Sequence, residues 1–347
     1  MRKPTTIKDI ARILNISVST VSRAMRGAGD INPETKKKVL KLADELDYEP
    51  NTLAKNLVEK NTKTIGVIVP ELDLDFFASN IRGIYEKAYE KGYKVMLAQS
   101  GEDFDKEVDI IKTMVGDRLD GLIISLSKNT KSYSHFDKIV RREMPLVIFD
   151  RYTHNIACSN VIADNRTGAF EATQHLIDQG YTKIAHLGGP NNLEISKRRL
   201  KGYKDALLAN GFNIDDDYIE HCNLSKPDTI AKVKKLMNLP NPPNAIFTVN
   251  DLSAIEVINY VKEIGLKIPY HFGVVGFNND PFSEYMDPKL STVNIPATEM
   301  GRFAAQIVID QIENDNIRLV TEKLNCNLIV RESSNRIEYI DKNIKNG

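Results

Sequence analysis

The 347-residue chain is long enough for about two or three domains, and its 47 Lys and Arg residues are balanced by 47 Asp and Glu residues. This balance excludes a uniformly basic nucleic-acid coat and an acidic disordered chain, while 41% hydrophobic residues are typical of a globular protein. The sequence has no apolar run of the ~20 residues that a membrane span needs, no secretory signal, and three widely spaced cysteines. We therefore expect a cytoplasmic protein with reduced thiols and no membrane partner.

Charge is distributed unevenly along the chain. Residues 1–41 contain ten Lys and Arg residues but three Asp and Glu residues, a surplus of +7, so the remaining residues carry −7. A basic segment joined to an acidic body is typical of a nucleic-acid-binding module attached to another domain. A helical segment with a solvated basic face is the alternative that charge alone leaves open.

The first 50 residues have the pattern of short helices with tight connections. Thr6, followed by Asp9, predicts the start of a first helix. Asn15 stands where the chain must turn through positive φ, which Asn tolerates better than most residues. Ser17 predicts the N-cap of a second helix that ends at Gly27.

A third helix is predicted from Pro33, because proline is favoured in the first helical turn. Its predicted apolar stripe consists of Val39, Leu40, Ala43 and Leu46. The segment that follows, residues 51–63, has weak helical patterning and few residues that could pack against a core. We expect a linker there.

The first two predicted helices have the features of a helix-turn-helix. Ala11 is small enough to let the helices approach each other, and Val21 would lie in the seam between them. The start and exposed face of the second helix carry short or cationic side chains, namely Ser17, Val18, Ser19, Ser22 and Arg23. Such positions reach base edges and phosphates in DNA. A three-helix packing motif without a nucleic-acid partner is the alternative, and the +7 charge weighs against it.

From Lys63 onward the sequence changes to short apolar runs separated by helical patterns. A first series of runs starts at Ile65, Lys94, Gly121 and Pro145, and a second series starts at Lys183, Ala245 and Phe272. The runs are nearly continuous in apolar residues, as buried parallel strands are. The sequence therefore predicts an α/β protein with two successive lobes of doubly wound parallel sheet.

The sequence gives little support for catalysis. It contains no HExxH, P-loop, GxSxG or GxGxxG motif, and its six histidines lack metal-ligand spacing. We expect no enzyme activity, no catalytic residue, no cofactor and no metal. Two other classes stay open: a periplasmic-type sugar receptor, disfavoured by the basic head, and a sugar-modifying enzyme, disfavoured by the lack of a paired acid and base.

Several strings together resemble the LacI/GalR family of bacterial transcription regulators. The most specific are TIKDIARILNISVSTVSRAM and YEPNTLAKNL; KTIGVIVP, DGLIIS, PLVIFDR, RLKGY, TVND and GVVGFNN continue the resemblance over residues 5–333. The resemblance implies a helix-turn-helix head, a hinge helix and a two-lobed core similar to periplasmic binding proteins of type I. It also implies a homodimer with an effector bound between the lobes.

These expectations define the domains. The DNA-binding domain covers residues 1–50, the hinge helix or linker 51–63, the effector-binding and dimerisation core 64–334, and a polar tail 335–347. Within the core, the first lobe covers about residues 64–163 and 293–322, and the second about 164–292 and 323–334.

The resemblance also assigns DNA-contact positions. Val18, Ser19 and Arg23 match base-reading positions, and Thr6 and Ser17 match phosphate-contact positions. Because Val18 and Ser19 are small and uncharged, they favour apolar or single hydrogen-bond contacts over bidentate ones.

Leu57 matches the hinge leucine that inserts into the minor groove at the operator centre. An apolar wedge costs unstacking energy, which is offset by bending and closer contact. An exposed linker residue is the alternative interpretation. Two departures from the family pattern fall in the DNA-binding part of the chain: Asn15 replaces a turn glycine, and Asn56 replaces a small hinge residue.

A ligand site is predicted at the carboxyl ends of the strands, because ligands of open α/β sheets bind there. Those ends are Phe76, Phe77, Ser125 and Asp150 in the first lobe, and residues 189–199, Asn250, Asp251, Asn278 and Asn279 in the second. Carboxylates, amides, an arginine and aromatic faces are the groups that bind sugar hydroxyls and stack on a pyranose ring.

The resemblance selects the effector-contact positions from this set: Phe76, Ser125, Asp150, Arg199, Asn250 and Asn278. Asn278 departs from the more frequent aspartate, and Leu74-Asp75 replaces the usual residues before the two phenylalanines. Alternatively, Asp150 and Asp251 are strand-end caps, and Arg199 is an ion-pair partner that holds its helix to the lobe.

The sequence thus predicts a homodimeric, sequence-specific repressor of carbohydrate-utilisation genes. Its partners would be a near-palindromic DNA operator and a small sugar-like effector. Within the same family, a global catabolite-control regulator with a phosphoprotein corepressor is the alternative.

Overall fold

The structure, a computed structural model, describes residues 5–48, 61–314 and 318–345, the last five of them by backbone alone. The chain forms two compact units, which divide between Thr62 and Lys63.

The first unit contains three helices around a small core. They are α1 (Ile7–Leu14), α2 (Val18–Met25) and α3 (Pro33–Glu45). Ile10, Val21 and Val39, one from each helix, are fully buried. Leu40 was predicted in the apolar stripe of α3, but its side chain is 42% exposed. Leu42 packs against the core instead, since the spacing from Val39 follows the helical repeat of three to four residues.

The local signals at the helix ends are confirmed. Asn15 ends α1 with φ 53°, in the left-handed region. The Ser17 hydroxyl caps α2 by accepting a hydrogen bond from the Thr20 N–H at 3.1 Å. Gly27, just beyond α2, has φ +74°.

The second unit alternates strands and helices. Its described strands are β1 (Thr64–Val69), β2 (Lys94–Gln99), β3 (Gly121–Ile124), β4 (Leu146–Phe149), β5 (Ser159–Ala163), β6 (Ile184–Gly188), β7 (Ile219–His221), β8 (Ala245–Thr248), β9 (Gly273–Asn278), β10 (Ser291–Asn294), β11 (Thr321–Leu324) and β12 (Asn327–Ile329). Its described helices are α4 (Asp75–Glu90), α5 (Phe104–Gly116), α6 (Asp137–Arg141), α7 (Asn165–Asp178), α8 (Glu194–Ala209), α9 (Lys226–Met237), α10 (Asp251–Glu263), α11 (Ala297–Glu313) and α12 (Arg336–Lys345), with 3₁₀ turns at Ser134–Phe136, Asp216–Tyr218 and Pro281–Glu284.

The strands form two sheets, one in each lobe. The first has the order β11-β5-β4-β3-β1-β2, with every neighbouring pair parallel. The second has the order β12-β10-β9-β8-β6-β7, in which β12 alone among these strands runs antiparallel to its neighbour. The expected two-lobed α/β core with doubly wound sheets is therefore confirmed.

Helices α4 and α11 pack backbone to backbone on the first lobe. A Cβ atom on Gly83 of α4 would lie 2.0 Å from the Thr298 carbonyl oxygen, and one on Gly301 of α11 would lie 2.0 Å from the Asn80 carbonyl oxygen. Any side chain at either glycine would separate the two helices.

The described chain crosses between the lobes at three places: after Ala163, after Asn294 and after Leu324. The predicted crossings were after residues 163, 292 and 322. The last two differ by two residues, because β10 pairs with β9 as far as Asn294 and β11 pairs with β5 as far as Leu324.

The C-terminal segment differs from the expected polar tail, because residues 336–345 form α12. The Arg336 guanidinium donates to the Gly180 carbonyl oxygen at 3.0 Å and lies 5.2 Å from the centre of the Tyr181 ring. These contacts hold the start of the helix on the second lobe. In the described chain, no helix combines the length and apolar character of a membrane span.

Candidate DNA-binding surface and effector cleft

The start of α2 presents the residues predicted to read DNA. Ser17, Val18 and Ser19 are exposed, and the Ser17 hydroxyl lies 2.8 Å from the Ser19 hydroxyl. The Val18 side chain is 41% exposed, although valine is apolar. An exposed methyl-bearing side chain at this place suits contact with a thymine methyl group.

Other residues that are predicted to contact DNA bond to neighbouring side chains within the first unit. The Arg23 guanidinium forms an ion pair with Asp30, and both side chains are more than half exposed. The Thr6 hydroxyl donates to the Asp9 carboxylate at 2.7 Å. Ser22 is half-buried. Asp30 was not predicted as a partner of Arg23, because it lies in the loop after α2.

Leu57 and Asn56 lie outside the described residues. The hinge helix and the minor-groove contact therefore stay predictions.

A cavity of about 500 Å³ lies between the two lobes of the second unit. Of the predicted effector-contact residues, its wall contains Phe76 and Asp150 from the first lobe, and Arg199, Asn250 and Asn278 from the second. The structure thus brings five of the six positions together.

Ser125 is the exception, because it is fully buried and does not line the cavity. The chain turns away from the cleft just after β3. The Ser127 N–H donates to the buried Glu107 carboxylate at 2.8 Å, which draws this loop towards α5. Lys128, three residues after Ser125, lines the cavity instead.

Asp150 is 4% exposed and stands in the left-handed backbone region, with φ 58°. Among the described residues, none donates a hydrogen bond to its carboxylate. Burial raises the pKa of Asp150, while Arg151 and Arg199 act against that shift. Its side chain is thus a buried acceptor on the cavity wall.

Arg199 is 3% exposed and is fixed by its own lobe. Its Nε donates to the Asn165 side-chain oxygen at 2.8 Å, Nη1 donates to the Val249 carbonyl oxygen, and the guanidinium lies 3.8 Å from the centre of the Phe277 ring. Burial lowers the pKa of Arg199 to about 10, so it stays charged at neutral pH. Arg199 therefore anchors α8 and also faces the cleft.

Asn250 and Asn278 come from the ends of β8 and β9. The Asn250 side-chain oxygen accepts the Ser253 N–H at 2.8 Å and caps α10. Asn278 has φ 112°, an unusual conformation for a residue with a side chain. Both side chains reach the cavity from the second lobe.

Comparisons with known proteins agree with this architecture. The sequence model described as "Bacterial regulatory proteins, lacI family" matches residues 6–51, and a "Periplasmic binding protein-like domain" matches residues 173–334. The HTH-type transcriptional repressor CytR of Escherichia coli (strain K12) is 30% identical over 332 residues, which cover 95% of this chain and 96% of CytR. Catabolite control protein A of Priestia megaterium is 32% identical over 313 residues, covering 90% and 94%.

The chain belongs to the LacI family of bacterial regulatory proteins. It is a DNA-binding transcriptional regulator and not an enzyme.

Solved structures of similar fold include sugar complexes. The transcriptional regulator CelR in complex with cellobiose is 26% identical, with a TM-score of 0.72 over 95% of this chain and 99% of that one. A LacI-family regulator from Enterococcus faecium with bound ribose is 25% identical, with a TM-score of 0.69 over 78% and 98%. The Lac repressor dimer bound to operator has a TM-score of 0.84 over 96% and 99%, and at 22% identity it shows the fold alone.

Sequence reasoning missed several residues of this regulator's cleft. The Arg151 guanidinium forms an ion pair with Glu102 at 2.6 Å, and the other Glu102 oxygen accepts the Lys128 N–H at 2.7 Å. Arg151 immediately follows Asp150 in PLVIFDR, and this adjacency was a usable signal. Glu102 lies in a loop, where no periodic pattern marks it.

Asp280 and Phe282 also line the cavity and were not predicted. Asp280 is 7% exposed, and burial together with the charge of Asp75 raises its pKa to about 7. The Asp280 N–H donates to Asp251 at 2.7 Å.

Asp251 itself does not line the cavity. Its carboxylate accepts hydrogen bonds from the Thr292 hydroxyl at 2.6 Å and from the Asp280 N–H, and burial raises its pKa to about 8. These contacts support a structural role for Asp251 at the start of α10, just after β8.

The described residues contain no group of three or more His, Cys, Asp or Glu side chains arranged to hold a metal. His186 is fully buried between the rings of Tyr203 and Phe247, and burial lowers its pKa to about 3. It is a neutral packing residue of the second lobe.

Proposed function

We propose that the regulator is a homodimeric, cytoplasmic repressor of carbohydrate-utilisation genes, which binds a near-palindromic operator and responds to a small sugar-like effector. The observation that carries this proposal is the cavity of about 500 Å³, whose wall takes polar and aromatic side chains from both lobes. Its size falls in the range of ~300–1,000 Å³ typical of small-molecule sites.

The chemistry of the wall suits a sugar. The Asp150 carboxylate and the Asn250 amide offer hydrogen-bond acceptors and donors, and the rings of Phe76 and Phe282 offer apolar faces. A pyranose has hydroxyl groups around its edge and C–H groups on its faces, so both kinds of side chain have a counterpart. Similar regulators hold cellobiose and ribose.

The position of the cavity between two lobes supports control of DNA binding by the effector. A ligand that contacts both lobes favours their closed arrangement by the difference in its affinity for the two states, typically ~1–3 kcal/mol. We propose that this difference is transmitted to the DNA-binding heads of the dimer.

Exposed apolar side chains support the homodimer. Tyr85 and Tyr89 of α4 stack on each other at 6.3 Å and are 58% and 75% exposed. Met96 and Leu97 are also exposed, on the edge strand β2 of the same lobe. Patches of exposed large apolar side chains mark interaction surfaces.

Genome-wide binding by the tagged regulator tests operator recognition. We expect enrichment of a near-palindromic site next to carbohydrate-utilisation genes, and an affinity for that site that falls steeply with salt, because lysine and arginine contacts release counterions. A profile without a palindromic site would remove the proposal.

The predicted hinge leucine gives a narrower test. Leu57→Ala should weaken operator binding by roughly 1–3 kcal/mol, the scale of one lost specific contact. The effector affinity of the isolated core should stay unchanged, and an unaltered operator affinity would show that the segment is a simple tether.

The likeness to catabolite control protein A favours one second candidate, a global catabolite-control regulator with a phosphoprotein corepressor. Titration of the regulator with phosphorylated and unphosphorylated phosphocarrier protein separates the two candidates. Selective binding of the phosphorylated form would support the second.

A further inference from the structure

The wall of the cleft is acidic. It contains six carboxylate residues, namely Glu71, Asp73, Asp75, Glu102, Asp150 and Asp280. Three cationic residues, Lys128, Arg151 and Arg199, share the same wall. The charge of the side chains that face a ligand is therefore negative.

The three cations are also engaged by the protein itself. Arg151 is paired with Glu102 at 2.6 Å. The Lys128 ammonium donates to the Asn223 carbonyl oxygen at 3.2 Å. Arg199 donates to two oxygen atoms of its own lobe. An anionic ligand would have to compete with these partners.

Two carboxylates on the wall differ from the cations, because the described residues of the protein do not engage them. Asp150 of the first lobe and Asp280 of the second are both more than nine-tenths buried and both line the cavity. Within the described part of the chain, neither carboxylate accepts a hydrogen bond. Because both residues line the cavity, a ligand there can donate hydrogen bonds to carboxylates that the protein itself does not engage.

Asp75 adds a second negative charge near Asp280. It stands at the start of α4 in the first lobe, and its charge contributes to the raised pKa of Asp280 in the second lobe. Like charges on opposite lobes oppose each other in the arrangement described here. A group that carries donors or positive charge between them would remove that repulsion.

We infer that the effector is an uncharged or amine-bearing polyhydroxylated molecule, and that Asp150 and Asp280 accept its donors from opposite lobes. Sugar phosphates and sugar acids are excluded, because they would bring negative charge to a wall whose cations already have partners. This inference rests on the proposed effector-controlled function and specifies its ligand class.

Matched ligand series test this class on the full-length regulator by thermal shift and calorimetry. The probes are glucose, glucosamine, glucose 6-phosphate and gluconate, together with ribose and ribose 5-phosphate. In a series that binds, we expect the neutral or amino compound to bind at least about ten-fold more tightly than its anionic counterpart. Tighter binding of an anionic member would overturn the inference.

The unliganded protein provides a second test that needs no bound compound. Asp280→Asn removes the charge and keeps the shape, so we expect a Tm at least about 2 °C higher than wild type at pH 8. The control is Asp205→Asn in the same lobe, where the carboxylate is paired with Arg166 and Lys201 and its loss should not raise the Tm. Asp150→Asn repeats the test in the first lobe.

A lower Tm for both Asp280→Asn and Asp150→Asn would show that the protein itself satisfies these carboxylates, and would overturn the inference. Operator binding by wild-type protein is measured separately. Its absence would remove the proposed regulatory function, whereas the ligand ranking and the Tm comparison judge the effector class alone.

Discussion

The two lobes have the same strand order but support the cleft in different ways. Each sheet has two edge strands and four central strands. The edge strand that comes last in the chain, β11 in the first lobe and β12 in the second, is parallel to its neighbour in the first lobe and antiparallel in the second. The first lobe fixes its cleft arginine, Arg151, with a carboxylate. The second fixes Arg199 with neutral oxygens. The same sheet topology thus holds one cleft arginine by an ion pair and the other by hydrogen bonds to neutral oxygens.

This difference predicts the largest effect for Arg199→Ala. The variant loses two charged hydrogen bonds and the contact with Phe277, so unfolding should become easier by about 2–3 kcal/mol. It should also lose its response to effector. Chemical denaturation and operator release by an identified effector measure the two consequences. Normal effector response with reduced stability would assign Arg199 to anchoring alone.

Arg151→Ala tests the first lobe. It leaves Glu102 without its ion-pair partner but with the Lys128 N–H, so we expect a smaller loss of about 1–2 kcal/mol. Glu102→Gln is the control, because an amide oxygen can still accept the Lys128 N–H. A larger loss of folding stability in Arg151→Ala than in Arg199→Ala would contradict this difference between the lobes.

The buried cleft carboxylate of the second lobe should make stability depend on pH. The pKa of Asp280 is raised to about 7 from an ordinary value of 3.8, so the folded state binds a proton that the unfolded state has released between these values. Its contribution to stability is present below about pH 4 and is lost as pH rises towards 7. The Tm advantage of Asp280→Asn should therefore grow from pH 5 to pH 8, to about 2–4 °C. A constant difference would contradict this assignment.

The smallest effect concerns a hydrogen bond that joins the two lobes at Lys128, a residue of the cavity wall. The Asn192 amide donates to the Lys128 carbonyl oxygen at 2.6 Å. Asn192→Ala should weaken effector binding by about 0.5–1 kcal/mol, as one neutral hydrogen bond is lost. Asn129→Ala is the control, since the Asn129 amide bonds to the Glu102 carbonyl oxygen within the first lobe. Calorimetry with the same effector compares the two variants.

Local signals in the sequence predicted local structure well. Ser17 caps α2 and Asn15 takes positive φ, because both depend on the few residues around them. The crossings after Asn294 and Leu324 were placed two residues early, because strand ends depend on partners distant in sequence. Sequence reasoning also missed Asp280, which is positioned by a hydrogen bond to Asp251, a contact between the loop after β9 and α10.

The cleft residues likewise divide into those placed by their own position in the sequence and those placed by residues distant in sequence. Side chains directly after strands, such as Asp150 and Asn250, line the cavity as their positions predicted. Ser125 does not, because the path of the next loop is set by the buried carboxylate of Glu107 on another helix. A position at the end of a strand therefore predicts a residue of the cavity wall only where the following loop does not turn away from the cavity.

The close backbone contact between α4 and α11 ties the two helices to each other on the first lobe. Phe76 near the start of α4 and Ala297 at the start of α11 both border a cavity of about 320 Å³ that adjoins the cleft. At its other end, α11 reaches Lys63, whose ammonium lies 3.4 Å from the Glu313 carboxylate. At 1.5 Å per residue, the 17 residues of α11 span about 25 Å. Helix α11 thus connects the border of the cleft with Lys63, the residue where the core unit begins.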